Sequence, residues 1–215
     1  METLKVVKIG GNIIDNDAEL TSFLKDFSTL EGPKILVHGG GKLATELSNK
    51  MNVPVKMIDG RRVTDAETLE IITMVYAGKI NKNIVAKLQS FGCNSVGFSG
   101  ADGNTILAKK RLISPIDYGF VGDVVKVDVR TSNLLLSNNI TNIFSAISHD
   151  GNGQLLNTNA DTIASELAIA FSKFYKVELY YCFEKNGVLE SIDDDDSVIE
   201  QINQETYQKL KKSGI

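Results

Sequence analysis

The chain has 215 residues, of which 42% are hydrophobic and 23% charged, and its net charge is −4 at pH 7. This composition is typical of a soluble globular protein with room for one large core, or for two lobes that share a sheet. The acidic balance argues against nucleic-acid partners, and the sequence has neither a long apolar run for a membrane span nor a signal-peptide pattern. We therefore expect a cytoplasmic protein that binds neither nucleic acid nor membrane.

The first half of the chain alternates between apolar strands and helical patterns. In chain order, the predicted elements are a strand at residues 4–9, a helix at 20–30, a strand at 35–37, helices at 43–51 and 64–88, and a strand at 94–98. Thr64 and Glu67 have the spacing of a capping box, which would start the longest helix. This order favours a mostly parallel sheet with helices on both faces, so the predicted fold class is α/β, a three-layer αβα sandwich.

The second half adds an antiparallel ribbon, in which residues 121–129 alternate in polarity and would pair with residues 105–112. The remaining predicted elements are a helix at 131–138, a strand at 140–146, a hairpin or loop at 149–156, a helix at 160–171 capped by Thr158 or Asn159, a strand at 177–183 and a helix at 206–213. Cys93 and Cys182 lie in apolar runs and are expected to be reduced core residues. The acidic run at 193–196 is predicted to be a solvated turn, and no metal site is expected.

Two glycine-containing turns suggest where the protein binds its ligands. Lys8 ends the first strand and is followed by Gly10 and Gly11, while three consecutive glycines, residues 39–41, follow the second strand. In a parallel sheet, both turns lie at the C-terminal edge of the strands, where such sheets bind ligands. Glycine lets backbone N–H groups approach an anion closely, and a helix N-terminus adds positive potential. Two such turns on neighbouring strands predict two anions held close together, as a group transfer between charged ligands requires.

The glycine triplet also fits a second interpretation. Gly39, Gly41 and Ala44 satisfy the dinucleotide fingerprint G-x-G-x-x-A, and Asp59 lies roughly twenty residues further on, as a ribose-binding acid would. An NAD(P)-dependent oxidoreductase is therefore the alternative function. Against it, Asp59 lies in a polar turn beside two arginines, and this interpretation leaves Lys8 without a role.

Two further segments could reach the same edge of the sheet. Arg61 and Arg62 precede the longest helix, where one guanidinium could bind a carboxylate through two parallel hydrogen bonds, or could be an ordinary surface group. In the segment NTNAD, residues 157–161, Asn157 could contact a ligand and Asp161 could orient other groups. The simpler interpretation is that this segment only caps the helix that follows.

Together these motifs resemble the amino-acid-kinase family, whose members share a carbamate-kinase-like fold. The matching segments occur in family order: KIGG at 8–11, HGGG at 38–41, GRRVT at 60–64, GADGN at 100–104, DYGFVGDV at 117–124 and NTNAD at 157–161. In series, they indicate the branch that acts on N-acylglutamates. The resemblance implies transfer of the γ-phosphoryl group of ATP to the γ-carboxylate of N-acetyl- or N-succinyl-L-glutamate in arginine biosynthesis, with Mg²⁺ bound mainly through the nucleotide.

For the nucleotide, the resemblance implies that Gly10 and Gly11 offer N–H groups to the phosphates of ATP. Lys8 would stabilise charge on the phosphoryl group in transit, and Asp161 would orient the catalytic lysines. The nucleotide lobe would comprise residues 157–215 and would share one sheet with the rest of the chain.

For the second substrate, the resemblance implies that residues 1–156 form the binding lobe. Gly40 and Gly41 would hold the γ-carboxylate, Arg62 the α-carboxylate, and Asn157 the acylamino end. Members of the family tend to form dimers, so a homodimer is expected by analogy.

The sequence departs from the family pattern in three places. A second lysine in a glycine-rich turn is expected past the last helix, and the sequence stops at Ile215 before it, so we expect either a longer protein or a chain short of full activity. A non-catalytic relative that binds acylated amino acids is therefore a further alternative. Residues 182–189 replace a nucleotide-lobe segment of the family, with Glu184 at the acidic place, and residues 97–104 could reshape the acyl pocket.

Overall fold

The computed structural model describes residues 1–183, 185, 187–191 and 193–213. The chain divides into two compact units, Met1–Cys182 and Phe183–Ile215. The strands of the first unit are β1 (Thr3–Ile9), β2 (Lys34–His38), β3 (Met57–Ile58), β4 (Arg61–Arg62), β5 (Ser95–Phe98), β6 (Ile106–Lys110), β7 (Gly122–Val127), β8 (Thr141–Ser145), β9 (Ile147–His149), β10 (Leu155–Asn157) and β11 (Lys176–Cys182). Its α-helices are α1 (Gly11–Asp15), α2 (Asp17–Thr29), α3 (Gly41–Lys50), α4 (Ala66–Thr73), α5 (Asn81–Ser90), α6 (Arg130–Leu136) and α7 (Ala160–Phe171). In the part of the chain that the structure describes, no helix is both long and apolar enough to cross a bilayer.

The central sheet of the first unit is fully parallel, with strand order β11-β1-β2-β8-β5. The predicted mainly parallel sheet is therefore confirmed. β1 and β2 are hydrogen-bonded neighbours in which Ile9 lies opposite His38. Because the two glycine turns start immediately after these residues, both leave the same edge of the sheet, as the sequence predicts.

Helices cover both faces of this sheet because the strand side chains alternate between two cores. Val7 and Ile9 belong to a core that α1 to α5 complete, whereas Leu4 and Val6 belong to a second core that includes residues of α6 and α7. This arrangement confirms the three-layer sandwich. The two cysteines are free thiols, as expected, but only Cys93 is a buried core residue, whereas Cys182 is partly exposed.

A second, four-stranded sheet has the order β10-β9-β6-β7. β6 and β7 form the predicted antiparallel ribbon, with a register shift between Leu107 and Ala108. β9 and β10 form a hairpin, which settles the choice left open for residues 149–156. β3 and β4 form a short hairpin whose turn, Asp59-Gly60, has positive φ at both residues, as a tight primed turn requires.

Two details of the predicted helices are wrong. The N-cap of α4 is Asp65, whose Oδ1 accepts from the Thr68 N–H at 2.8 Å, and not Thr64. The predicted single helix at 64–88 is interrupted by a π-helix at Met74–Ile80, which separates α4 from α5. At α7, the cap is Asn159, one of the two predicted candidates, because its side chain accepts from the Thr162 N–H.

The second unit contains a bridge between Leu189 and Val198 and the helix α8 (Gln204–Ser213). The acidic residues 193–196 are exposed around a turn, which agrees with the predicted solvated turn. Glu184 lies outside the described residues. The predicted lobes divide the chain after residue 156, whereas the compact units divide it after Cys182. The predicted lobes describe binding functions, and they stay a prediction.

Candidate functional site

A cleft of about 420 Å³ lies beside the glycine triplet that follows β2. Five of the predicted site residues line it together: Gly40, Gly41, Arg62, Asn157 and Asp161. They come from three separate segments of the chain, so the fold brings together residues that are up to 121 positions apart in the sequence (40 to 161). We refer to this space as the cleft.

Gly40 has a backbone conformation and surroundings that no other residue could share. Its φ is +148°, and a Cβ at this position would lie 2.1 Å from Ile80 Cδ1 and 3.2 Å from the Tyr76 ring. Gly40 is also the N-cap residue of α3, with no side chain to cap the helix. The bare backbone therefore allows the π-helix to pack directly on the turn at the start of α3, where unpaired N–H groups accumulate.

Arg62 is buried beside this turn, although β4 is only two residues long. Two hydrogen bonds hold its side chain in place: Nη2 donates to the Gly41 carbonyl at 2.9 Å and to Thr45 Oγ1 at 2.6 Å. Arg62 is only 8% exposed, and its Nη1 is buried without a hydrogen-bond partner. A buried guanidinium with an unused donor beside a cleft is suited to an anionic ligand, because leaving that donor unpaired costs free energy.

Asn157 is fixed by contacts that run across three chain segments. Its Nδ2 donates to Thr64 Oγ1 at 3.0 Å, and its backbone N–H donates to the Phe120 carbonyl at 2.9 Å. Thr64 is fully buried and pairs along its backbone with Gly119, where a Cβ would lie 2.1 Å from the Thr64 carbonyl oxygen. The missing side chain of Gly119 therefore lets the 117–121 segment dock against Thr64 and hold Asn157 at the cleft.

Lys8 is not part of the cleft lining, but it forms an ion pair with Asp161, which is. Its Nζ lies 2.8 Å from Asp161 Oδ1, and Asp161 lies in the first turn of α7. The lysine side chain is 16% exposed and the aspartate 52% exposed, so the pair sits at the boundary with solvent. Because Lys8 is the penultimate residue of β1 and Asp161 lies in the first turn of α7, the ion pair fixes the ammonium group near the C-terminal edge of the sheet.

Gly10 and Gly11 lie past the end of β1 and outside the cleft lining. The N–H of Gly10 already donates to the Cys182 carbonyl at 3.0 Å, in the neighbouring strand β11. The first N–H groups of a helix lack acceptors within the helix, so the donors for an anion here come from Gly11 and its successors in α1 rather than from Gly10. The predicted roles of both glycines stay predictions.

Two cleft residues were missed from the sequence, Tyr76 and Arg111. Burial raises the pKa of the Tyr76 phenol, an effect that the nearby Arg62 guanidinium partly offsets. Arg111 donates through Nε and Nη2 to Asp123 Oδ1, at 3.0 and 2.6 Å, and its guanidinium carbon lies 5.7 Å from the Tyr118 ring centroid. In the β6–β7 register Asp123 lies opposite Lys109, which puts Arg111 two residues further along the same face, but no local signal in the sequence places Arg111 at the cleft.

The arrangement of charges favours anionic ligands. Arg61, Arg62 and Arg111 line the cleft, and α3 and α7 both begin at it, which adds positive potential. By contrast, Asp59 lies in the β3–β4 turn and not at the end of a strand of the parallel sheet, so this geometry does not support a dinucleotide fingerprint. The site can hold carboxylate or phosphate groups next to a positioned lysine.

Comparison with known proteins identifies the family of the chain. A sequence profile described as the Amino acid kinase family matches residues 3–215, so the chain belongs to that family. A protein of Cytophaga hutchinsonii named acetylglutamate kinase is 58% identical over 216 residues, which cover 100% of this chain and 82% of that protein. The solved structure of smu.665 from Streptococcus mutans superposes with a TM-score of 0.81 at 26% identity, covering 98% of this chain and 83% of that one. The Giardia carbamate kinase, at 13% identity, shares the fold alone, with a TM-score of 0.65 over 99% of this chain and 83% of that one.

Proposed function

We infer that this chain is an ATP-dependent kinase that transfers the γ-phosphoryl group of ATP to the γ-carboxylate of N-acetyl-L-glutamate, a step in arginine biosynthesis. The single observation that carries this inference is the cleft, where the buried Nη1 of Arg62 lacks a partner beside two glycines and the Lys8–Asp161 ion pair. The relative from Cytophaga hutchinsonii supports the choice of substrate, because its name states the same activity.

For the acylated amino acid, we propose that Arg62 binds the α-carboxylate and that Gly40 and Gly41 hold the γ-carboxylate with backbone N–H groups. Asn157 would bind the acylamino end. These groups orient the nucleophile and require no general base, because a carboxylate is already ionised at neutral pH. Orientation is the larger part of catalysis in phosphoryl transfer, where reactants must align in line and charge on the moving group must be neutralised.

For the nucleotide, we propose that Gly11 and the first turn of α1 bind the phosphates, with Gly10 as the turn residue. Lys8 would neutralise charge on the transferred phosphoryl oxygens, and Asp161 would hold the lysine in place. Mg²⁺ would neutralise further phosphate charge and would be held mainly by the nucleotide, since Mg²⁺ keeps several waters and binds mostly through substrate phosphates at such sites. The nucleotide lobe would be residues 157–215, and residues 1–156 would bind the other substrate.

We also propose a cytoplasmic location and a homodimer, both by analogy with a biosynthetic enzyme of this family. The acyl group is the least determined part of the substrate. N-succinyl-L-glutamate is the second candidate, because it differs from the acetyl compound only by an added carboxymethyl group, and the arginine-lined cleft suits anions.

A turnover assay tests the function directly. Purified protein is mixed with ATP, Mg²⁺ and either N-acetyl- or N-succinyl-L-glutamate, ADP release is followed, and hydroxylamine traps the acyl phosphate. We expect ADP and hydroxamate in equal amounts with at least one acylglutamate and neither with unmodified L-glutamate. Binding of an acylglutamate without ADP release would favour the non-catalytic alternative, and bound NAD without ADP release would favour an oxidoreductase.

A further inference from the structure

A buried polar network lies directly beneath the glycine triplet. The His38 ring is fully buried, with Nδ1 2.9 Å from the Gly39 carbonyl oxygen and Nε2 3.1 Å from Asn81 Nδ2. Asn81, the first residue of α5, is also fully buried, and its Nδ2 donates to the Ile143 carbonyl at 2.9 Å. Lys82 Nζ donates to Asn81 Oδ1 at 3.1 Å. Every polar atom of the two buried side chains is therefore paired.

These partners determine where the proton of His38 lies. Asn81 Nδ2 carries two hydrogens, one for the Ile143 carbonyl and one for the ring, so His38 Nε2 accepts. The proton is then on Nδ1, which donates to the Gly39 carbonyl. Burial lowers the pKa of His38 to about 4, so the ring stays neutral near neutral pH.

The hydrogen bond to Gly39 matters because the peptide it restrains is otherwise easy to turn. Gly39 and Gly40 flank that peptide, and glycines on both sides let a peptide plane rotate with little steric resistance. In a trans peptide, the C=O and the next N–H point in opposite directions. Holding the Gly39 carbonyl against the buried ring therefore turns the Gly40 N–H away from the ring, and Gly40 itself lines the cleft.

We propose that His38 is a positioning residue, which, held by Asn81, fixes the Gly39–Gly40 peptide so that the Gly40 N–H points into the cleft at the carboxylate to be phosphorylated. This inference rests on the proposed function, because the carboxylate is that of the acylated amino acid. The network acts only through the backbone, since the imidazole is separated from the cleft by the turn that it orients.

Four variants test this inference, with N-acetyl-L-glutamate and Mg²⁺–ADP titrated separately into each by calorimetry. His38→Leu removes the donor, His38→Asn keeps an amide donor at the Nδ1 position, and Asn81→Leu removes the group that fixes the tautomer. The matched control is Asn142→Leu, because Asn142 is an equally buried amide whose Nδ2 also makes two bonds, to the carbonyl and hydroxyl of Ser132.

We expect His38→Leu to weaken N-acetyl-L-glutamate binding by about 10- to 100-fold, the effect of losing one hydrogen bond to a charged group, with unchanged ADP affinity. Asn81→Leu should act in the same direction by less, His38→Asn should recover most of the affinity, and Asn142→Leu should lower only the melting temperature. Equal weakening by Asn142→Leu, or none in His38→Leu, would overturn the inference.

A measurement on the unmodified chain covers the case in which a variant does not fold. Nitrogen-15 NMR of the histidines should show one ring protonated at Nδ1 and not at Nε2 near neutral pH. The opposite tautomer would refute the positioning role. If the unmodified chain binds no acylglutamate while the tautomer is as expected, the proposed function has failed rather than the geometry of the network.

Discussion

Gly40→Ala tests the most constrained position at the cleft. The new Cβ would meet Ile80 Cδ1 at 2.1 Å and the Tyr76 ring at 3.2 Å, and φ at Gly40 is +148°. The backbone conformation alone costs about 1–3 kcal/mol for a residue with a side chain. Overpacking a well-packed site adds about 1–3 kcal/mol. We therefore expect a loss of about 2–6 kcal/mol in the free energy of unfolding, a large share of the stability of a typical domain.

Denaturant unfolding of matched glycine variants separates the cost of the backbone conformation from the cost of overpacking. Gly92→Ala has a φ of +73° and open space around the new Cβ, so it should lose only about 1–2 kcal/mol. Gly78→Ala is helical, with open space, and should be neutral or stabilising by up to about 1 kcal/mol. Ile80→Val removes the atom that clashes, so it should restore part of the stability in the Gly40→Ala background.

The result that would refute this reasoning is specific. If Gly40→Ala loses no more stability than Gly92→Ala, the contact with the π-helix does not constrain the turn. If Ile80→Val brings no recovery in the double variant, the clash is not with Ile80. Either result would also remove the packing argument for why this position of the triplet is glycine.

Four further predictions address the cleft and its surroundings. Lys8→Ala should lower turnover by about 10²–10³-fold with little change in KM for the acylglutamate, and unchanged turnover in steady-state assays would exclude its role. Asp161→Asn should lower turnover by less and leave the melting temperature nearly unchanged, because its ion pair is half-exposed. Thr64→Val removes the acceptor of Asn157 Nδ2, so KM should rise up to about ten-fold for the acylglutamate and not for ATP. For His38, the pKa is about 4 when folded and about 6.5 when unfolded, so the unfolded chain binds the proton first as pH falls from 6.5 to 4. Wild-type stability should therefore fall by up to about 3 kcal/mol in that window, and His38→Asn, compared by denaturation at each pH, should lack this component.

The parallel sheet and its two glycine turns were predictable because they depend on local patterns. Short apolar runs ending in glycine identify β1 and β2, and helical spacing between them requires a parallel crossover. Local patterns did not predict the N-cap residue of α4 correctly. Thr64 and Asp65 are both good N-cap residues, and the choice depends on Thr64 being drawn into contacts with Gly119 and Asn157.

The candidate site was predictable where the chemistry lies in the motif itself. Gly40, Arg62 and Asn157 each sit in a segment whose composition suggests an anion, and all three line the cleft. Arg111 could not be placed there, because its position depends on how the β6–β7 ribbon folds over the sheet. That placement depends on contacts distant in sequence, including the docking of Gly119 against Thr64.

The contacts of the π-helix with the glycine triplet were not predicted from the sequence. A π-helix accommodates an extra residue relative to an α-helix, and one residue corresponds to a rotation of about 100° about the axis. The residues before and after Met74–Ile80 are therefore rotated relative to one another, so a regular 3.6-residue spacing does not predict which of them face the glycine triplet. The irregular segment lets one long helical stretch make both contacts, with Tyr76 and Ile80 packed against Gly40 and Asn81 bonded to the ring beneath it. One helical stretch thus contacts the glycine triplet through Tyr76 and Ile80 and supports it from beneath through Asn81 and His38.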